Sequence, residues 1–382
     1  MKKQMLMVPG PTPVPPEVLQ AMGKQMINHR GAAFGELFSE VNHLIKKVFQ
    51  TENHVLIFPG AGTGAMEAAV VNLTEPGERV LLATIGAFGD RFGDILEGHG
   101  VIVERVEAEW GMAIDPQAVK EKLENNREIK KLFITHNETS TGVTNDLKAV
   151  KDAIPDDVLM IVDAVSGLGG IDLKMDEWGI DVVVTGSQKA LMIPPGLAFI
   201  ALNDRAWKVV EENKAPKYYW DFKLARKFLE KNPPETPYTP AVSLLYALQA
   251  SLRLIIEEGL ENVFARHELM AKAIRAGVKA LGLKMLAEDD VASHTVTAVY
   301  SPEGIDVGKL RKLMREKYGI TLAGGQKKLE GKIFRIGHLG YVDWPDVVTV
   351  LAGLELALKE LGYPVEFGTA IKAAQEILFA GR

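Results

Sequence analysis

The sequence predicts an α/β protein: a large domain on a mainly parallel seven-stranded sheet, followed by a smaller α+β C-terminal domain. Three observations predict it. Seven short apolar runs between residues 55 and 201 alternate with segments of helical periodicity. The second of these features is a glycine-rich turn, Gly60-Ala-Gly-Thr-Gly64, joining the first strand to a helix. The third is length: 382 residues are many for one core, and the pattern changes near residue 259.

Taken in order, residues 1–16 read as an N-terminal arm. Pro9-Gly-Pro-Thr-Pro-Val-Pro-Pro16 fits neither a regular helix nor a central strand, and composition alone does not separate a functional arm from a linker. Residues 17–258 form the large domain. Glu17 to Met26 and Phe34 to Phe49 are expected helices. His29 and Arg30 lie at the turn between them, as surface residues or as groups approaching a substrate. The expected strands are 55–58, 79–82, 101–103, 131–135, 158–162, 181–184 and 197–201. Helices are expected over 65–72, 88–96 and 116–125. A charged, aromatic stretch follows Trp207, then a proline-rich turn from Pro233 to Pro240 and a long helix from Val242 to Glu258. In the small domain, 259–382, Thr295 to Tyr300 alternates like a half-exposed strand, and Lys332 to Ile336 is a second strand. Helices over 261–281, 306–318 and 347–361 complete an open, one-sided sheet.

Composition narrows the function. A net charge of −6 without a basic run offers nucleic acid no surface. The absence of cysteine excludes disulfides, thiolate zinc sites and a cysteine nucleophile. The N-terminus is too short in its apolar part for a signal peptide, and no apolar segment reaches membrane-spanning length. A cytoplasmic protein with no membrane partner is expected.

In open α/β sheets, ligands sit beyond the carboxyl ends of the strands. Lys189 follows the strand that ends at Gly186, and from Thr185 to Leu202 it is the only charged residue. A lysine in such surroundings either snorkels to solvent or is desolvated, which lowers its amine pKa and suits it to form a Schiff base. Gly60 to Gly64 is either a plain tight turn or a phosphate cradle at a helix N-terminus. It lacks both the P-loop lysine and the full dinucleotide spacing. Asp163 ends a buried strand. It either caps a turn or holds a protonated heteroaromatic nitrogen. Phe88, after another strand, packs in the core or stacks on a flat ligand. His136-Asn-Glu-Thr-Ser-Thr-Gly142 offers hydroxyls beyond what a cap needs. An imine-forming lysine, a buried aspartate, a phosphate cradle and a flat stacker together fit pyridoxal 5′-phosphate.

These residues carry a resemblance. Pro9-Gly-Pro-Thr-Pro, Glu138-Thr-Ser-Thr-Gly142, Asp163-Ala-Val-Ser-Gly-Leu-Gly-Gly170, Gly186-Ser-Gln-Lys189 with Pro194-Pro-Gly196, and Phe334-Arg335-Ile-Gly337 are similar to motifs of one family. The chain resembles the class V, fold-type I aminotransferases, and within them the alanine–glyoxylate / serine–pyruvate group, over nearly its whole length. The resemblance implies that Lys189 binds the cofactor covalently, Asp163 pairs with the pyridine nitrogen and Phe88 stacks on the ring. It places Thr139 near the cofactor and Gly62, Thr63 and Gln188 on its phosphate. Thr236 and Thr239 fall in the segment that reaches the phosphate of a neighbouring subunit, implying a homodimer with shared sites. Arg335 is implied to grip the substrate α-carboxylate. Ala61 departs from the serine of some relatives and Thr236 from a tyrosine.

The implied activity is ping-pong transamination from alanine or serine to glyoxylate or pyruvate. Within the superfamily, 2-aminoethylphosphonate–pyruvate transamination and aspartate as donor are the alternatives; a desulfurase would need a cysteine. From another class, a nucleotide-binding α/β protein is opposed by the incomplete glycine pattern.

Overall fold

The structure, a computed structural model, describes residues 4–381. Residues 1–3 of the expected arm lie outside the described residues. Thirteen strands appear in chain order among the described residues. β1 is Met5–Met7, β2 Val55–Gly60, β3 Arg79–Thr84, β4 Ile102–Glu107, β5 Lys131–Thr135, β6 Asn137–Glu138 and β7 Val143–Thr144. β8 is Leu159–Asp163, β9 Val182–Gly186, β10 Gly196–Leu202, β11 Val296–Tyr300, β12 Ile320–Gly324 and β13 Ile333–Gly337.

Seven strands make the main sheet, in the order β2-β10-β9-β8-β5-β3-β4. β10 runs antiparallel to both its neighbours, and the other pairings are parallel. The period-2 alternation of each strand feeds two separate cores. Leu81, Ile134, Val162 and Val183 face one side, onto the helix Ala32–Phe49. Val80, Phe133, Ile161, Val182 and Val184 face the other, onto the helix Gly62–Leu73. Each such side chain contributes about 1.5–3 kcal/mol by leaving water, so the sheet ends are held rigidly. That rigidity is what fixes residues such as Asp163, the last of β8, in space.

A second sheet has the order β1-β12-β13-β11, with a third core between it and the helices Leu260–Ala280, Val307–Glu316, Trp344–Glu360 and Thr369–Ala380. Within the expected arm, Met5–Met7 forms a strand that pairs in parallel with β12. One expectation is corrected here: residues Val296 to Val299 of β11 are buried rather than half-exposed. The other face of this sheet, with Ala298 and Arg335, is covered by the 136–145 segment, which carries the small β6-β7 ribbon. Ser293 N donates to Gly142 O at 2.8 Å and Thr144 N to Val291 O at 2.9 Å. Thr297, on the helix side with Val299, has its Oγ1 2.9 Å from His338 Nε2. The alternation of β11 thus turns Thr297 and Val299 to the helices and Ala298 to the covering segment, and neither face meets solvent. Helices Leu147–Ala153, Asp204–Glu212, Phe222–Leu229 and Thr369–Ala380 are further elements that were not among those expected.

Candidate active site

β9 ends at Gly186, where an added Cβ would lie 2.9 Å from Gly62 N, so only glycine lets strand and helix approach this closely. Beyond it, Ser187 Oγ donates to Pro194 O at 2.8 Å and accepts from Leu197 N at 3.2 Å, closing the loop that presents Lys189. The N-terminal arm crosses this loop. Thr12 N donates to Gln188 O at 3.2 Å, Thr12 Oγ1 to Lys189 O at 3.0 Å, and Lys189 Nζ to Pro9 O at 2.5 Å. Burial draws the Lys189 amine down to about 8, helped by Arg335 and Arg91 and opposed by Asp163. The amine does not snorkel.

Asp163 is 2 % exposed. One carboxylate oxygen accepts from Val165 N at 2.9 Å, and no other hydrogen bond to the side chain is present among the described residues. Burial pushes this carboxyl up to about 7, and the charge of Glu138 adds to the rise. A buried carboxylate with one donor is under-solvated and will favour a cation.

Both groups open into one pocket with about 470 Å³ of empty space, its mouth included. Ala61, Gly62, Thr63, Phe88, Thr139 and Gln188 also line it, so most of the sequence-predicted site residues meet there. Ala61 is the N-cap of the helix Gly62–Leu73 and supplies no side-chain cap, leaving the first N–H groups of that helix open towards an anion. Gln188 Oε1 is buried without a partner. Thr139 Oγ1 donates to Ser166 Oγ at 2.6 Å. These open donors, the orphaned acceptor and the under-solvated carboxylate fit a flat, phosphorylated heteroaromatic cation.

Glu138 anchors the pocket wall. Its carboxylate accepts from Phe88 N at 3.1 Å, Gly89 N and Ser140 N at 3.0 Å, and Ser140 Oγ at 2.6 Å. It thereby caps the helix Ala87–Gly98 and holds Phe88 at the pocket. Arg335, on β13, lies beside the pocket rather than in its lining. Its Nε donates to Gly324 O at 2.8 Å and its Nη1 to Thr139 O at 2.9 Å.

Thr236 and Thr239 do not reach this pocket within one chain. Thr236 Oγ1 donates to Tyr238 O at 2.7 Å, and Thr239 is exposed. Arg30 lies away from the pocket lining: it fastens the same segment, donating to Thr236 O at 2.5 Å and Pro237 O at 3.2 Å and pairing with Glu235 at 3.1 Å. Sequence reasoning missed Arg91, Asn137 and Ser166, which also line the pocket. Arg91 lies one helical turn after Phe88, and that spacing was the available signal.

The whole chain is similar to known proteins. A model of the aminotransferase class-V family matches residues 5–336. An uncharacterised aminotransferase of Methanocaldococcus jannaschii is 45 % identical, with 98 % of each chain covered. A serine–glyoxylate aminotransferase of Arabidopsis thaliana is 40 % identical, over 98 % of this chain and 94 % of that one. The crystal structure of ureidoglycine–glyoxylate aminotransferase from Bacillus subtilis matches with a TM-score of 0.95 at 34 % identity, covering 99 % of each chain. The lysine-and-aspartate pocket at the ends of β8 and β9 therefore sits in a chain that belongs to the class V aminotransferases, with their fold and their transaminase chemistry.

Proposed function

We propose that this aminotransferase works with pyridoxal 5′-phosphate, covalently held by Lys189, and moves an amino group from serine or alanine to glyoxylate or pyruvate. The observation that carries the reading is the pairing of a buried amine drawn down to about 8 with a buried carboxyl pushed up to about 7 in one pocket. Relatives whose names give glyoxylate as acceptor support that half of the substrate pair.

Pyridoxal phosphate, when bound, supplies an electron sink for the charge left on a substrate carbon that loses its proton. Asp163 keeps a proton on the ring nitrogen by offering it the only carboxylate in the lining. Gly62, Thr63 and Gln188 hold the phosphate, and Phe88 supports the ring face. Arg335 holds the substrate carboxylate with a fork that suits two oxygens. Lys189 Nζ, with a pKa near working pH, takes the α-proton and returns it. The donor leaves as a 2-oxo acid before the acceptor enters.

The protein is further proposed to be a cytoplasmic homodimer, with Thr236 and Thr239 completing the partner's phosphate site. Next to that segment Tyr218 is 80 % exposed, and Tyr219 stacks on Tyr238 at 5.2 Å, an aromatic surface suited to a partner. No described helix is long and apolar enough to cross a membrane. An arm over 1–16, a large domain over 17–258 and a small one over 259–382 remain the proposed division.

The test is the visible absorbance of the purified protein after incubation with pyridoxal phosphate. A yellow band that fades with serine or alanine and returns with glyoxylate is expected. A folded protein that stays colourless, or a band indifferent to both donors, refutes the reading.

A further inference from the structure

Arg91 is a half-buried guanidinium in the pocket lining, beside Ala61, Gly62 and Thr63. It makes no ion pair among the described residues. The adjacent Asp90 is taken by Lys327 Nζ at 3.2 Å and Thr84 Oγ1 at 2.9 Å. Two contacts hold Arg91 in place. Nη1 lies 3.4 Å from Thr63 Oγ1, a long hydrogen bond, and the guanidinium carbon sits 4.9 Å from the centre of the Phe88 ring. A partly buried cation with so little compensation needs an anion. Its reach is set by Thr63, in the first turn of the helix Gly62–Leu73, whose N-cap Ala61 has no hydroxyl to offer. Arg335 lies on the other sheet and is tied to Gly324 and Thr139, so the two arginines serve different ends of the pocket.

We infer that Arg91 is a phosphate-binding residue of this chain. Its guanidinium supplies, beside Thr63, the contact that an alanine N-cap leaves out, while lying over the Phe88 ring. The inference rests on the proposed cofactor. It adds a positive charge to a cradle otherwise made of neutral donors, and that charge contributes to the lowering at Lys189 and opposes the rise at Asp163.

The experiment compares pyridoxal 5′-phosphate with pyridoxal, which lacks the phosphate, as ligands of apoprotein stripped from the holoenzyme. Binding is followed by protein fluorescence for the wild type, Arg91→Gln and Arg91→Lys, with circular dichroism reporting the fold. Loss of one charge-assisted contact is worth about 10- to 100-fold. Arg91→Gln should weaken pyridoxal phosphate by that factor and leave pyridoxal within about twofold; Arg91→Lys should recover part of the loss. Equal weakening of both ligands would assign Arg91 to ring packing alone and overturn the inference. So would unchanged binding of both, or a defect confined to the KM of a dicarboxylate donor. A folded wild type that binds neither ligand would overturn the proposed function itself, and the two failures are distinguishable.

Discussion

Replacing Asp163 by asparagine separates a residue kept for a ligand from one kept for the fold. In the folded apoprotein this carboxyl rises from 3.8 to about 7, chiefly by burial. The rise corresponds to a cost on the order of 4 kcal/mol for holding the ionised form inside the protein. Between those two values the folded chain keeps a proton that the unfolded chain has released. Apoprotein stability therefore falls as pH climbs from about 4 to about 7, and the full penalty stands above that. Asparagine has nearly the same shape, can still accept from Val165 N, and carries no charge. The D163N apoprotein is expected to match the wild type near pH 4 and to exceed it at pH 8. Urea midpoints at the two values measure the difference. Activity should move the opposite way, by about 100-fold or more, because the ring nitrogen loses the charge that keeps it protonated. An asparagine variant less stable than wild type at both pH values would show that the carboxylate is a structural cap, and the reasoning would fail.

Three further outcomes are expected. At Gly10, φ is +132° and an added Cβ would come within 2.7 Å of Lys189 Cδ and Cε. Gly10→Ala should therefore cost roughly 1–3 kcal/mol in strain and reduce kcat by about 100-fold, and wild-type kcat with full cofactor content would contradict this. With the Lys189 amine at about 8, its free-base fraction rises about tenfold between pH 7 and pH 9. The rate at which apoprotein takes up pyridoxal phosphate should rise with it, and a rate that falls or stays level would count against Lys189 as the nucleophile. Glu138→Ala strands two helix N–H groups and both donors of Ser140, a loss of roughly 3 kcal/mol or more. Urea unfolding should register that loss, and weaker cofactor binding should accompany it as Phe88 loosens.

How far the sequence could carry this reading depended on the range of each interaction. The strands were legible because their alternation is local: Val182, Val183 and Val184 had to serve opposite faces whatever lay beyond them. Lys189 and Asp163 were legible because each is a charge set off the end of an apolar strand. Arg91 was not, since a charged residue on an amphipathic helix reads as solvent-facing until the strand beside it is known. Nor could sequence show that Pro9 O would meet an amine 180 residues away, as a backbone carbonyl leaves no mark on composition. β1 and the buried face of β11 were hidden for the same reason, because pairing and cover come from segments distant in the chain.

The charges around the pocket form one balance. As an ammonium, Lys189 would carry three donors, and the structure meets one of them, at Pro9 O. Arg335 and Arg91 repel that charge, while Asp163 attracts it but is itself reluctant to ionise. Lysine and aspartate are thus coupled, and the proton they compete for belongs to the pair rather than to either group. A cation placed at Asp163 fixes that carboxylate as charged and removes it from the competition. Anions placed at the two arginines screen their repulsion of Lys189. The second change raises the proton affinity of the lysine amine, while in the first the cation's own charge offsets the carboxylate it fixes. On the proposed function, the apoprotein keeps Lys189 neutral enough to attack a carbonyl, and anions at the two arginines would make the same amine a stronger base for the α-proton. The proline-rich arm, by giving the amine a neutral backbone acceptor, leaves that choice to the charged groups around it.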